Sequence, residues 1–344
     1  MTAQGSILVT GGAGFLGSHL CRALLADPRY STWSVVVLDD LSGGFVTNLP
    51  DHPRLRFVQG SITDPETLDR IFAADRVEFV FHLAAYAAEG LSHFIRSFNY
   101  TNNLIGSALL INAAIRHQVR HFVFTSSIAV YGAAQTPMRE SMQPLPEDPY
   151  GIAKYAVELD LHAAHRQFGL SYTIFRPHNV YGEFQNIGDR YRNVVGIFMN
   201  CLLQNQPLPI FGDGLQQRAF SYVEDLMPAI TAAPFVPEAA GQVFNIGAAV
   251  PVTVLDLAHA VCREFQLPPN FRFLPPRNEV RAAWADHEYS THVFGPAPQT
   301  PLAAGLTRMA AWVRQHGARS TPPFSQIELT TGLPESWITP PSAG

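Results

Sequence analysis

Residues 7–20 read ILVTGGAGFLGSHL: an apolar run, glycines at positions 11, 14 and 17, and then a helical pattern. A tight turn from strand into helix needs a positive φ, and a backbone that approaches a pyrophosphate closely needs residues without Cβ. The helix that follows offers unpaired amides to such an anion. Downstream, VVVLDD (residues 35–40) ends a second apolar run at Asp39. A carboxylate at that place holds the ribose hydroxyls of an adenosine and repels a 2′-phosphate. Strand, glycines, helix, strand and acid in this order predict a dinucleotide site, with NAD favoured over NADP.

The same texture continues outward. LRFVQG (55–60), VEFVFHLAA (77–85), HFVFTSS (121–127), SYTIFRP (171–177) and GQVFNIG (241–247) read as strands. Helical patterns run from about Phe15 to Leu25, around Pro65–Ala73, near Tyr100–His117, from Tyr150 to about Phe168 and over Val254–Phe265. Short, nearly continuous Val/Ile/Phe runs are strands buried on both faces, and their alternation with helices predicts an α/β fold with a doubly wound parallel sheet of Rossmann type. From Asn179 onward Gly, Pro and Asn become frequent and the elements shorten, which predicts a smaller C-terminal substrate-binding lobe. The expected division is 1–178 with about 220–250 for the dinucleotide, 179–219 with about 251–330 for the substrate, and a Pro-rich tail over 331–344, loose at its last residues.

Composition narrows the function. The chain has 344 residues, is 47% hydrophobic and 15% charged, and carries a formal net charge of −5, which excludes a disordered chain and gives no basic footprint for nucleic acid. Cys21, Cys201 and Cys262 are too few and too scattered for a disulfide framework or a four-ligand zinc site, so no metal is expected. MTAQGSILVTGG carries no signal-peptide pattern, and no apolar run approaches the ~20 residues of a membrane span. A reducing cytoplasm and no membrane contact are the expectation.

Lys154 is the chain's single lysine beside 22 arginines. It lies four residues after Tyr150, so the two side chains share one face of a helix. A solvated surface lysine is indifferent to Arg and would be arginine in so biased a chain. A phenol with a free pKa near ~10 is a poor base at neutral pH, and lowering it by ~3 units takes roughly 4 kcal/mol of differential phenolate stabilisation. A neighbouring ammonium and a positive nicotinamide ring are suited to that task. The run Thr125, Ser126, Ser127 stands at the carboxyl end of a strand, where open α/β sheets place their sites, and Ser127 is the candidate partner for a substrate hydroxyl.

With these residues placed, the sequence resembles the extended short-chain dehydrogenase/reductases that act on nucleotide sugars, the NAD-dependent epimerases and dehydratases, with most likeness to UDP-galactose (UDP-glucose) 4-epimerases. The likeness runs from about Ile7 to Trp312 through TGGAGFLGSHL, LDDLSGG, HLAA, NNLIGS, FTSSIAVYG, PYGIAK, RPHNVYG, PIFGDGLQQRAFSYVEDL and AWADH. The resemblance implies a bound NAD held by Gly11, Gly14, Phe15, Leu16 and Gly17, then by Asp39, Asp40, Leu41, Ser42 and Gly43. Ser61, Ile62, Leu83, Ala84, Ala85, Asn103, Thr125, Ser126, Tyr150, Lys154, Pro177 and His178 complete that set. It also implies that Tyr150 takes the proton of the sugar C4 hydroxyl as hydride passes to NAD, that Ser127 holds the C4 oxygen and that Lys154 holds the nicotinamide ribose. Asn179, Arg218 and, less closely, Arg277 match the positions that grip a nucleotide diphosphate; Val195, Leu208, Ile210 and Phe211 fall on the uridine side.

Dehydratases of this family carry an Asp-Glu pair directly after the catalytic Ser/Thr, and decarboxylases keep an acid there. Ile128 and Ala129 occupy those places and do no acid/base work. The expected chemistry is therefore 4-epimerisation of a UDP-hexose through a transient 4-keto sugar. Epimerisation of another nucleotide sugar (UDP-glucuronate, GDP- or dTDP-linked), net oxidoreduction and a non-catalytic NAD-binding scaffold remain the alternatives. Three departures bear on specificity. Ser61 replaces an aspartate usual beside the adenine. Glu89 stands where an apolar residue is common, disfavouring a uronic acid unless Arg190 or Arg192 offsets it. Ala283 is small where bulk narrows the pocket in some relatives, and so admits an N-acetylated hexose. Glu158, His162 and His165 are expected on the exposed face of a helix that, with the helix near 100–117, packs against a second subunit in a homodimer.

Overall fold

The computed structural model describes residues 5–277, 279–334 and 337. Its central sheet has seven parallel strands: β1 (Gly5–Thr10), β2 (Trp33–Asp39), β3 (Leu55–Gln59), β4 (Val77–His82), β5 (His121–Thr125), β6 (Tyr172–Pro177) and β7 (Gln242–Ile246). The spatial order is β7-β6-β5-β4-β1-β2-β3. The longer helices are α1 (Phe15–Ala26), α2 (Pro65–Ala74), α3 (Gly106–Arg116), α4 (Pro149–Phe168), α5 (Val194–Leu203), α6 (Val223–Ala232), α7 (Val254–Phe265) and α8 (Leu302–His316).

Alternation along the strands builds two cores at once. Leu8, Val36, Val80, Phe122 and Ile174 face Leu68, Leu110 and Leu161 of α2, α3 and α4. Val9, Val37, Phe81, Val123 and Phe175, their odd-numbered neighbours, face Leu20 and Leu24 of α1 and Leu226 and Ile230 of α6. Both faces are buried, so the strands read as unbroken apolar runs, and each such side chain contributes about 1.5–3 kcal/mol by leaving water. The strand order reverses direction between β1 and β4. That switch opens a crevice at the carboxyl ends of the strands.

A third core packs α5, α7 and α8 around Tyr181, Phe198, Leu257 and Leu306 and forms a separate, smaller lobe. Two parts of the stretch 251–330 do not belong to that core. The helix Glu288–Phe294 lays Tyr289 and Phe294 on Phe244 of β7, with ring centroids 4.8 and 4.9 Å apart. Beyond α8, residues 318–334 cross back to the loops after β4. The expected loose tail 331–344 lies mostly outside the described residues, but Trp337 within it is 6% exposed.

The helix expected near Tyr100–His117 is interrupted. Arg96–Tyr100 is followed by one wider π turn, Thr101–Ile105, before α3 begins at Gly106. A Cβ on Gly106 would lie 2.8 Å from the Ile62 side chain, so the helix is pressed against the loop after β3 there.

The exposed face expected for α4 also needs correction. His162 and His165 are exposed, but Glu158 is 4% exposed. Its carboxylate accepts Arg176 Nε at 2.9 Å and Arg176 Nη2 at 2.5 Å, with Arg176 equally buried on β6. Removing one member of a buried pair strands the other charge, at a cost of ~3–5 kcal/mol. Arg176→Met should therefore lower stability in urea unfolding by about that amount, and Glu158→Leu/Arg176→Met together should regain a large part of it. A single variant as stable as the parent would show that the pair is not a folding determinant.

Candidate active site

A cleft of about 1970 Å³ runs along the carboxyl edge of the sheet and continues between the two lobes. At one end the chain leaves β1 into the glycine turn. Gly11 has φ +71°, and a Cβ there would lie 2.7 Å from the Ala84 backbone. Gly17 is required for packing: its Cβ would lie 2.1 Å from the Gly11 carbonyl. Without those two methyl-sized groups α1 starts directly under the turn, and its first amides carry neither a side-chain cap nor an acid. They remain available to an anion.

Asp39 at the end of β2 lines the cleft and accepts Ala13 N–H at 3.0 Å and Leu41 N–H at 2.8 Å. Burial raises this carboxyl and the backbone donors oppose the rise. With Gly14 N–H as a third backbone donor, the carboxylate still keeps a lone pair for a ribose hydroxyl. Asp40, Ser42, Gly43, Ser61 and Ile62 line the same stretch. Leu41 does not; it contributes a backbone amide at φ +63°. Asn103 also stands behind the wall rather than in it. Its side-chain oxygen accepts Tyr86 N–H at 2.8 Å and its amide donates to Tyr86 O at 3.1 Å, fixing the loop that Leu83–Ala85 begin.

Ser127, Tyr150 and Lys154 meet where β5 ends. Ser127 caps the short turn Ile128–Tyr131 by accepting Ala129 N–H at 3.1 Å. Asp148 caps α4 by accepting Gly151 N–H at 2.9 Å, and Ser92 Oγ accepts Tyr150 N–H at 3.2 Å, so the first turn is held from two sides. Lys154 is 3% exposed; its ammonium donates to Thr125 O at 2.8 Å and lies 5.8 Å from the Tyr150 ring centre. Burial pushes it down to about 7, with Glu158 opposing.

The chain's own groups hold the Tyr150 phenol above its ordinary value. Burial first, then the Glu89 and Asp148 carboxylates, raise the phenol, while Ser127 and Arg192 lower it. The lysine's hydrogen bond goes to a carbonyl and not to the phenol, so Lys154 alone does not make Tyr150 a base.

At the far end Glu89, Asn179, Phe211, Arg218, Arg277 and Ala283 all line the cleft. Arg218 donates to Val280 O at 2.7 Å, and Arg218 and Arg277 both approach Glu279, at 3.4 and 3.7 Å. Arg277 stacks 3.9 Å over the Phe211 ring. Exclusion of water by the cleft walls raises the Glu89 carboxyl, as do Asp148 and Glu279, while Arg218 and Arg277 oppose the rise. Three residues expected against the uridine are corrected. Val195, Leu208 and Ile210 are fully buried in the small lobe's core, and by alternation Val194, Pro209 and Phe211 present the wall. Arg192, already singled out beside Glu89 in the sequence, lines the cleft. Its guanidinium lies 4.7 Å over Tyr86 and pairs with Asp189 at 2.9 Å. A Cβ on Gly43 would lie 2.8 Å from its Nη2.

These residues fit a dinucleotide. The cradle at Gly11 and Gly17 leaves no room for a Cβ, and Thr125 Oγ1 is a buried hydroxyl in the cleft wall without a hydrogen-bond partner. Among the described residues no group of three or more His, Cys, Asp or Glu is placed to hold a metal ion, and no helix is long and apolar enough to cross a membrane.

Comparison with known proteins agrees. Residues 7–247 match the model of the NAD dependent epimerase/dehydratase family. A UDP-glucose 4-epimerase of Mycolicibacterium smegmatis is 35% identical over 313 residues, 89% of this chain and 98% of its own length. A crystal structure of a Thermotoga maritima UDP-glucose 4-epimerase with UDP-glucose superposes with a TM-score of 0.84 at 36% identity, covering 90% of this chain and 99% of that one. A UDP-glucuronic acid 4-epimerase of Bacillus cereus, in complex with UDP-glucuronic acid and NAD, gives 0.82 at 29% identity, covering 90% and 99%. The chain belongs to this family of NAD-dependent enzymes.

The buried lysine has a consequence for protein freed of dinucleotide. Its folded pKa of about 7 lies below the unfolded value of ~10.4, so between those limits the unfolded chain binds the extra proton. Stability should rise with pH across that window and the contribution should be smallest below pH 7. Thermal unfolding of the parent and of Lys154→Met from about pH 6.5 to 9.5 should show the parent gaining on the variant; parallel curves would show a lysine charged throughout.

Proposed function

We propose that this member of the NAD-dependent epimerase/dehydratase family interconverts UDP-hexoses at C4. The observation that carries the reading is the wall beside Ser127. Dehydration and decarboxylation need a second acid there, and Ile128 is buried and apolar while Ala129 offers only a methyl group to the cleft. Tyr150, Ser127 and Lys154 together are enough for reversible oxidation at a single carbon; the carboxylates near the phenol, Glu89 and Asp148, stand apart from the two positions after Ser127.

NAD, when bound, would supply a reversible hydride acceptor. Tyr150 takes the C4 hydroxyl proton and returns it to the 4-keto oxygen after the sugar has turned over. Ser127 donates a hydrogen bond to that oxygen while its own oxygen still accepts Ala129 N–H. Lys154, held by the Thr125 carbonyl, has two further N–H groups for the nicotinamide ribose. The Lys154 ammonium would join the positive nicotinamide in offsetting the burial that raises the phenol. Asn179, Arg218 and Arg277 grip the diphosphate, which exchanges with Glu279 as partner of the two arginines. Anchored there, the sugar turns over without leaving.

Residues 1–178 with about 220–250 serve the dinucleotide, and 179–219 with about 251–330 serve most of the nucleotide sugar. Glu89 disfavours a uronate, and Ala283 leaves space for an N-acetyl group. A homodimer is supported by exposed Ile105 beside α3 and exposed Ile152 and Leu159 on α4. The unpaired cysteines suit a reducing cytoplasm.

The test is anomeric proton NMR of purified protein with UDP-glucose, UDP-N-acetylglucosamine and UDP-glucuronate, supplied separately. The 4-epimer should appear from the first two without added reductant, and from the third slowest. Tyr150→Phe should retain NAD and lose about 10²–10⁴-fold in kcat, the size of a general acid–base contribution. Conversion of none of the three by folded, NAD-loaded protein would refute the assignment.

A further inference from the structure

We infer that Trp337, carried back over the cleft by residues 318–334, forms a wall of the hexose pocket and sets how strongly the enzyme prefers a nucleotide sugar to the bare nucleotide diphosphate. The inference rests on the UDP-hexose reading above and names the residue that would recognise the sugar. The matched family model ends at residue 247, so the model does not prescribe this segment.

After α8 the chain is fastened to the cleft rim at successive points. Arg319 N–H donates to the Asn200 side-chain oxygen and its carbonyl accepts the Asn200 amide, both at 2.9 Å, while its guanidinium lies 4.4 Å over the Phe45 ring. Phe324 packs 4.8 Å from Phe98 and 5.2 Å from Tyr86. Glu328 N–H donates to Phe94 O at 2.8 Å, and its carboxylate accepts Ser97 and Phe98 N–H at 2.9 Å each. These contacts bring Trp337 down onto Ala88, Leu91 and Ile95, with the Tyr191 ring 5.4 Å away.

That position is the interval where the sugar must lie. Tyr150 and Ser127 mark the reacting end and Arg218 and Arg277 the diphosphate end, with Glu89 between them. Trp337 covers Gly90, the residue after Glu89: a Cβ on Gly90 would lie 3.2 Å from the indole. On its other side the Arg277 guanidinium lies 5.9 Å from the indole centre. Trp337 also lines the cleft itself. An indole there offers the C–H face of a pyranose a rigid apolar surface and keeps water from the reacting carbon. The uridine and diphosphate have partners of their own in Phe211, Arg218 and Arg277, so Trp337 acts on the hexose.

Calorimetric titration of the full-length, NAD-loaded protein with UDP and with UDP-glucose tests this, alongside KM and kcat. Trp337→Ala should weaken UDP-glucose binding and raise KM by about tenfold while UDP binding changes by less than about twofold. Trp337→Phe should restore most of the loss. Glu328→Ala, which removes no cleft side chain and only unfastens the segment that carries Trp337, should show the same pattern and decides the matter if Trp337→Ala does not fold. Equal weakening of UDP and UDP-glucose, or no change in either, overturns the inference. Parent protein that binds UDP-glucose without epimerising it refutes the activity, and the same titrations still decide the role of Trp337.

Discussion

Glu158 accepts hydrogen bonds from Ser126 at the end of β5 and from Arg176 on β6, and it stands on α4 one turn after Lys154 and two after Tyr150. Helix α4 and strand β5, which carry Tyr150, Lys154 and Ser127, are thus tied to β6 at one buried carboxylate. Arg176 extends the tie, donating to Tyr131 Oη at 2.7 Å, whose hydroxyl donates to Asn245 of β7 at 2.9 Å. In such a low-dielectric position the network has one satisfied arrangement, and any sliding of α4 along the sheet would strand a charge. Placement of the phenol against the strand end depends on that register more than on local helix propensity.

The sheet was legible because both its faces are buried, which writes strands as apolar runs that no surface requirement dilutes. The glycine turn was legible because steric demands at Gly11 and Gly17 leave no substitute. What stayed hidden is tertiary. Glu158 falls among polar residues on α4 and resembles a solvated glutamate until Arg176 is brought beneath it. Leu208 and Ile210 looked like pocket wall because the motif around them belongs to the site, yet strand alternation gives the cleft Pro209 and Phe211 instead. The π turn at Thr101–Ile105 leaves no periodic trace, being one residue wider than the helix around it. Trp337 lies among prolines and serines, a composition that signals looseness, and only the contacts of Phe324 and Glu328 show where it goes.

The cleft holds its cations in reserve. Arg218 and Arg277 share Glu279, and Arg192 rests on Asp189. Each guanidinium is kept oriented by an acid of the same chain, so under the proposed function a diphosphate would meet donors already arranged and have only to compete with a carboxylate for them. The same economy appears at Lys154, whose ammonium is aimed by the Thr125 carbonyl before any ligand arrives.

The edge strand β7 pairs with β6 although residues 178–241, including much of the small lobe, intervene. During synthesis, six strands of the sheet emerge and pair while the edge beside β6 stays open, and the segment that closes it follows only after α6. For that interval β6 presents unpaired amides and carbonyls to other nascent chains, the hazard that long-range parallel pairing brings. The seventh strand therefore works as a late seal, and a ribosome-stalled chain ending near residue 235 is the species in which aggregation competes most directly with folding.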